Sequence, residues 1–386
     1  MNERTYWEQT KQAIVEYAEK IGIDKIGVTS ADPFLELKQR LQEHREKGYE
    51  SGFEEPDLDK RTEPERILPG AKSIISIALA YPSKLENAPK SEPGAYRGIL
   101  SRSAWGMDYH HVLRDKLDKL ARFIQQLEPT ARVESMVDTG ALSDRAVAER
   151  AGLGWVGKNC ALITPEFGSW VYLGELVTNL PLPPDTPVEE GCGDCNLCVE
   201  SCPTGALVQG GQLDAQKCVS FLTQVKGFIP DEFRGKIGNR LYGCDTCQVV
   251  CPKNKGKHFA HQEAFRPDPE VAKPLLKPLL SMSNKEFAEK FGASSAAWRG
   301  KKPIQRNAIL ALAHFKDRSA VPELIRLLEN DPRPVIRGTA AWALGKIGGQ
   351  EAGAALERAK ACEKNPDVLS EIEKGLALYR KACSSG

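Results

Sequence analysis

The sequence predicts an α+β protein built in four parts. These are a mixed α/β domain over residues 1–185, a cysteine-rich module over 186–260, a basic connecting segment over 261–300 and an all-α repeat domain over 301–386. Three observations carry this reading. Strand-like and helix-like periods alternate before residue 185. Eight of the 11 cysteines crowd between Cys192 and Cys251, and the C-terminal residues repeat with an offset of 32.

Composition sets the class. With 41% hydrophobic and 27% charged residues in 386, the chain is an ordinary globular protein, and disorder and collagen-like structure are excluded. No run of about 18 apolar residues exists, which excludes a membrane span. The most apolar stretch, Ile67 to Tyr81, contains Lys72 and reads as a buried strand. The N-terminus mixes acids and bases and lacks a signal-peptide core. A cytoplasmic chain without a membrane partner is expected. Cytosolic disulfides are rare, so the cysteines need another account.

In chain order, Tyr6 to Ile21 has a helical period that ends at Gly22. Asp24 to Ser30 and Ile74 to Leu79 read as strands. Met107 to Leu127 places Val112, Leu113, Leu117, Leu120 and Ile124 on one face of a long helix. Ala131 to Val137 reads as a strand ending in Asp138-Thr-Gly, Ser143 caps the next helix to Gly152, and Trp170 to Val177 is a further strand. The Pro-rich stretch Leu180 to Pro187 links to the cysteines.

Cys192, Cys195, Cys198 and Cys202, followed by Pro203, reproduce the bacterial ferredoxin run C-x2-C-x2-C-x3-C-P. Cys244, Cys247 and Cys251-Pro252 repeat its end, with Leu241 where a further cysteine would stand; Cys218 supplies the missing thiolate. Eight ligands make two [4Fe–4S] clusters in a ferredoxin-like module. The crossing rule assigns Cys192, Cys195, Cys198 and Cys251 to one, and Cys202, Cys218, Cys244 and Cys247 to the other. Two structural zinc sites are the alternative, but zinc prefers separated pairs. Cys160, Cys362 and Cys383 receive no role.

No G-x-G-x-x-G follows a strand, so the dinucleotide fingerprint is absent. The segment Ala151 to Asn159 is Gly-rich and follows a helix; it is either a structural turn or a place where backbone approaches a large flat cofactor. Asp108-Tyr-His110-His-Val-Leu113 matches part of the cobalamin motif D-x-H-x-x-G, with Leu113 in place of Gly, and His110 is read as a packed or surface residue. Asp138 sits where a strand gives way to a turn. A carboxyl there, partly desolvated beside a cofactor, is expected to keep its proton near neutral pH and act as a general acid. A turn aspartate bonding its own backbone is the alternative.

Net charge is +1, yet Lys253 to Arg306 holds 12 Lys+Arg against 5 Asp+Glu, a local +7. Such a segment suits an acidic partner, nucleic acid first, or is a solvated linker. Beyond it, Ala308 to Leu312 matches Ala340 to Leu344, and Leu324 to Arg326 matches Leu356 to Arg358. Paired helices of this kind are HEAT-like, and two repeats must dock on the rest of the chain, as a recognition surface or a cap.

Val137 to Arg145, Ala151 to Asn159, the double cysteine run and the repeats, in that order, resemble the epoxyqueuosine reductase family along essentially the whole chain. The resemblance implies cobalamin in the first domain, two [4Fe–4S] clusters, and reductive removal of the epoxide oxygen of epoxyqueuosine at the tRNA wobble position. It implies Asp138 as the acid, also placed at the cofactor. Lys158, Asn159, Ser169, Asp57, Arg97 and Tyr242 become candidate cofactor contacts. Lys253, Lys255, Lys257, Arg299, Lys301, Lys302 and Arg306 become candidate phosphate partners for the tRNA anticodon stem-loop. A low-potential electron donor completes the partners. A reductive dehalogenase-like cobalamin enzyme on a small molecule and a non-catalytic electron-transfer protein are the competing functions.

Overall fold

The computed structural model describes residues 2–384, with side chains through residue 382, so the Cys383 side chain lies outside the described residues. It divides into two compact units. Met1–Lys84, Met107–Cys218 and Asp245–Arg266 form the first; Leu85–Gly106, Val219–Cys244 and Pro267–Gly386 form the second. The division runs across the four consecutive parts expected from the sequence. Among the described residues, no helix is long and apolar enough to cross a membrane.

The first unit is built on an antiparallel sheet of β1 (Lys25–Ser30), β2 (Ser73–Ala80), β3 (Val133–Met136) and β4 (Val171–Thr178), in the order β1-β2-β4-β3. Every residue of β2 is buried, which explains its unbroken apolar run: it lies centrally and is covered on both faces. Alternation sorts its side chains. Ile75, Ile77 and Leu79 join Leu113, Leu117, Leu120 and Ile124 in one core, while Ile74 joins Met136, Val147 and Val177 in another.

Helix α1 (Glu3–Lys20) packs on helix α2 (Tyr109–Leu127) over the first of these cores. Helix α2 begins two residues later than expected, because Asp108 is its N-cap and accepts the His110 backbone N–H. The short helix α3 (Asp144–Arg150) covers the other face, against β2 and β4. Ser143 stands at its N-cap position without a side-chain capping bond.

The second unit contains the repeats. They are helices α4 (Lys301–Phe315), α5 (Val321–Asn330), α6 (Pro334–Ile347), α7 (Gln350–Cys362) and α8 (Pro366–Ser384). The offset of 32 is the step from α4-α5 to α6-α7. An added Cβ at Gly345 would meet the Gly375 carbonyl oxygen at 2.0 Å, so α6 and α8 touch backbone to backbone.

Arg306 on α4 corrects one expectation. It is 1% exposed, and its guanidinium donates to the carbonyls of Val225 and Gly227 at 2.6 Å and of Leu222 at 2.9 Å. Asn307 beside it donates to the Thr223 and Leu241 carbonyls. Arg306 is therefore a fastener for the Val219–Cys244 segment and is withdrawn from the phosphate set. Burial lowers its pKa to about 9, which leaves it charged at neutral pH. Replacing it strands several buried carbonyls at once. Arg306→Met should destabilise the protein by roughly 3 kcal/mol, read as a lower urea midpoint.

Candidate functional site

Asp138 follows β3 at the edge of the sheet, with a backbone φ of 51°. That is the left-handed region, uncommon for a non-glycine residue and enriched at sites that hold a side chain in place. Its backbone N–H donates to Asp144 Oδ2 at 2.9 Å. Two positions on, an added Cβ at Gly140 would meet the Met136 side chain at 2.5 Å, so the loop folds back tightly on the strand it leaves. The Asp138 side chain is 61% exposed, open to a ligand from solvent.

Helix α2 presents two partners to that carboxyl. Tyr109 Oη donates to Asp138 Oδ2 at 2.8 Å, and His110 Nε2 stands 3.5 Å from the same oxygen. His110 Nδ1 lies 2.7 Å from Asp108 Oδ1. The ring is hydrogen-bonded to Asp108 through Nδ1, while Nε2 faces the Asp138 carboxylate without a hydrogen bond among the described residues, and two flanking carboxylates favour the imidazolium. Asp108, and after it Asp138, push His110 up to about 9. Tyr109 is clamped between rings: its centroid lies 4.5 Å from that of Tyr172, nearly parallel, and 4.2 Å from His110.

Asp138 thus differs from the sequence expectation. The His110 contact first, then the Tyr109 hydroxyl, hold its carboxyl below the usual range despite partial desolvation. The resting proton belongs to His110, 3.5 Å from Asp138 Oδ2. His110 was legible in the sequence only as an imperfect motif. The signal was its spacing of two from a helix-capping aspartate.

Within the first cysteine set, neighbouring sulfurs act on one another. Burial first, then the neighbouring Cys192 and Cys251 sulfurs, raise the Cys198 thiol. Cys192 and Cys195 bear in the same way on Cys251. Backbone donors are already aimed at sulfur: Lys158 N–H to Cys192 at 3.4 Å and Ala206 N–H to Cys202 at 3.3 Å, contacts of the kind that tune iron–sulfur clusters. Cys160, left unassigned by the sequence, is partly buried, with a φ of 63°. Cys362 is exposed.

The other candidates separate. The Gly-rich turn is explained by packing: an added Cβ would strike the Thr186 carbonyl oxygen at Gly152 and the Ile163 carbonyl oxygen at Gly154. The same segment leaves Trp155 Nε1 and Asn159 Nδ2 buried without acceptors. Ser169 is 3% exposed, and its oxygen accepts from Asn254 and Gln248, tying it to the segment after the last cysteines. Lys158 Nζ donates to Asn196. Asp57 caps a short helix by accepting from Asp59 and Lys60 N–H groups. Arg97 and Tyr242 belong to the second unit. The Arg97 guanidinium is held by Glu270 at 2.8 Å and by the Lys273 carbonyl.

Among the basic residues, Lys255 is exposed. Lys253 pairs with Glu190 at 3.2 Å. Lys257 donates to the Pro165 carbonyl, Lys301 to that of Met282 and Arg299 to that of Gln224. Lys302 is partly exposed.

Comparison with known proteins identifies the family. The model described as epoxyqueuosine reductase QueG, DUF1730, matches residues 61–139. The 4Fe-4S double cluster binding domain matches 191–254, and HEAT repeats match 299–377. An epoxyqueuosine reductase of Bacillus cereus is 63% identical over 372 residues, covering 96% of this chain and 98% of that protein. A crystal structure of an epoxyqueuosine reductase with an epoxyqueuosine-modified tRNA-Tyr stem loop is 61% identical. It superposes with a TM-score of 0.95, over 97% of this chain and 100% of the other. The Bacillus subtilis enzyme, in a structure with its catalytic aspartate loop swung out of the active site, gives the same identity and TM-score over 96% and 99%. With the double-cluster domain, the repeats and such identity along nearly its full length, the chain belongs to the epoxyqueuosine reductase family of oxidoreductases.

Proposed function

We propose that this chain removes the epoxide oxygen of epoxyqueuosine at the wobble position of tRNA, giving queuosine, in the cytoplasm. The observation that carries the reading is the Tyr109–His110–Asp138 group, a proton source charged at neutral pH and open to solvent. A similar enzyme solved with an epoxyqueuosine-modified tRNA stem loop supports the substrate. The reduction takes two electrons and two protons and releases the oxygen as water.

Cobalamin and two [4Fe–4S] clusters, when bound, supply the electrons, drawn from a low-potential donor. The buried donors Trp155 Nε1 and Asn159 Nδ2 suit cobalamin's amide carbonyls, with Lys158 beside them. In this reading Cys192, Cys195, Cys198 and Cys251 hold one cluster, and Cys202, Cys218, Cys244 and Cys247 the other. As the C–O bond breaks, negative charge develops on the oxygen, and Asp138, ionised at rest, relays to it a proton drawn from His110. His110 reloads Asp138 through Nε2, while Asp108 holds the ring by Nδ1. The Tyr109 hydroxyl steadies the carboxylate between transfers.

Lys253, Lys255, Lys257, Arg299, Lys301 and Lys302 remain the proposed phosphate partners for the anticodon stem-loop, whose unstacked bases suit single-strand reading. A small-molecule dehalogenase would gain nothing from them. Salt-insensitive tRNA binding would favour that alternative.

Three outcomes follow. Asp138→Asn should reduce turnover by roughly 10²–10⁴-fold, the range of general acid catalysis, while cofactor absorbance and tRNA binding persist. Full activity would remove Asp138 from the mechanism. His110 is raised from 6.5 to about 9, so its proton is present at neutral pH and lost as pH climbs through 9. Turnover should fall across that limb, and His110→Gln should displace the limb to lower pH. For Lys255→Ala, the log–log salt slope of tRNA binding should flatten by about 0.7.

A further inference from the structure

Beneath the Asp138 loop lies a third and a fourth carboxyl that the mechanism does not use. Glu175 sits in the middle of β4, paired with Ser76 on β2 and Met136 on β3. It is 0% exposed. Its side chain points to the sheet face covered by α3, because its alternate neighbours Gly174 and Leu176 lie on the α2 side. Neither Glu175 oxygen meets a donor, and the Ser76 hydroxyl across the register is likewise buried without a partner. Helix α3, which begins at Asp144, packs against β4 on that face, and the Asp144 carboxyl acts on Glu175.

Two ionised carboxylates have only acceptors to offer each other, and an ionised Glu175, fully buried without a donor beside a second carboxylate, is prohibitive. Among the described residues, no basic side chain donates to either Glu175 oxygen. Glu175 feels Asp144 and Asp138, and Asp144 feels Asp138 and Glu175. The cations of the neighbourhood, His110 and Arg145, act on Asp138 instead. One proton shared between the two carboxyls resolves the conflict. Burial first, and then the Asp144 charge, drive Glu175 well above the ordinary carboxylate range. Burial and the Asp138 charge raise Asp144 only to about 6. Geometry places the proton on Glu175, which is fully buried and meets no donor among the described residues, and leaves Asp144, only partly buried and accepting a backbone N–H, as the anionic acceptor. Its Oδ2 receives the Asp138 backbone N–H at 2.9 Å, a charge-assisted bond to the residue held at a φ of 51°.

We propose that Asp144 and Glu175 act as one proton-sharing carboxyl pair that positions the Asp138 loop. The pair holds the loop through the Asp138 backbone amide and takes no part in delivering protons to substrate. Both are positioning residues, and this inference rests on the reading of Asp138 as the acid.

The test uses the cofactor-loaded full chain. Isotope-edited infrared spectra of protein with labelled glutamate carboxyls should show a protonated-carboxyl band at neutral pH that Glu175→Gln abolishes. Glu175→Gln keeps a donor towards Asp144, so the Asp138 amide should retain its protection from hydrogen exchange. Asp144→Ala should speed exchange at that amide by roughly tenfold, the loss expected for a charge-assisted bond. It should lower kcat by a similar factor with KM and tRNA affinity unchanged, and Asp144→Asn, which keeps an acceptor oxygen, should restore protection. Absence of a Glu175-dependent band, or wild-type exchange in Asp144→Ala, overturns the proposal. Full turnover in Asp138→Asn would instead defeat the acid reading, while the infrared and exchange results still decide the pair.

Discussion

The charge contact between the His110 imidazolium and the Asp138 carboxylate is the interaction on which the site depends. An exposed aspartate on its own would be ionised and empty-handed at neutral pH. Set against a histidine raised to about 9, it becomes one end of a short proton store. The store needs its histidine held from behind, and Asp108 does that at 2.7 Å. The same residue caps α2, so one carboxylate starts the helix and orients the ring.

Electrostatics on the two sides of Asp138 are opposite in character. Towards solvent, the carboxyl meets a cation and a phenol, and the charged form is favoured. Towards the sheet, its backbone amide rests on Asp144, and behind that the fully buried Glu175 meets no donor among the described residues. A sheet centre covered on both faces makes such a carboxyl tolerable only in its neutral form. The buried strand that gives the first unit its core thus also fixes the protonation of the groups below the loop.

Arg306 shows how the same residue type changes meaning with burial. In sequence it closes a basic run beside Lys301 and Lys302. In the fold it lies on the inner face of α4, where its rigid fork gathers carbonyls that the Val219–Cys244 segment would otherwise leave unpaired. Lysines earlier in the run keep their ammonium groups near solvent, because a flexible stem can carry a point charge outward.

Local pattern determined much of this protein. Cysteine spacing gave the double-cluster module, the 32-residue offset gave the helix pairs, and apolar periodicity gave α2 and the buried β2 to within about two residues at their ends. These features are set by neighbours along the chain, so they can be read along it. The position of Asp138 at a strand end was legible for the same reason. The state of its proton was not, because it depends on His110, 28 residues earlier. Glu175 reads in sequence as an ordinary strand acid. Only the register that sets it between Ser76 and Met136, under α3 and against Asp144, makes it a buried neutral carboxyl. Tertiary packing decided those charges because desolvation and pairing act through space, between residues the sequence keeps apart.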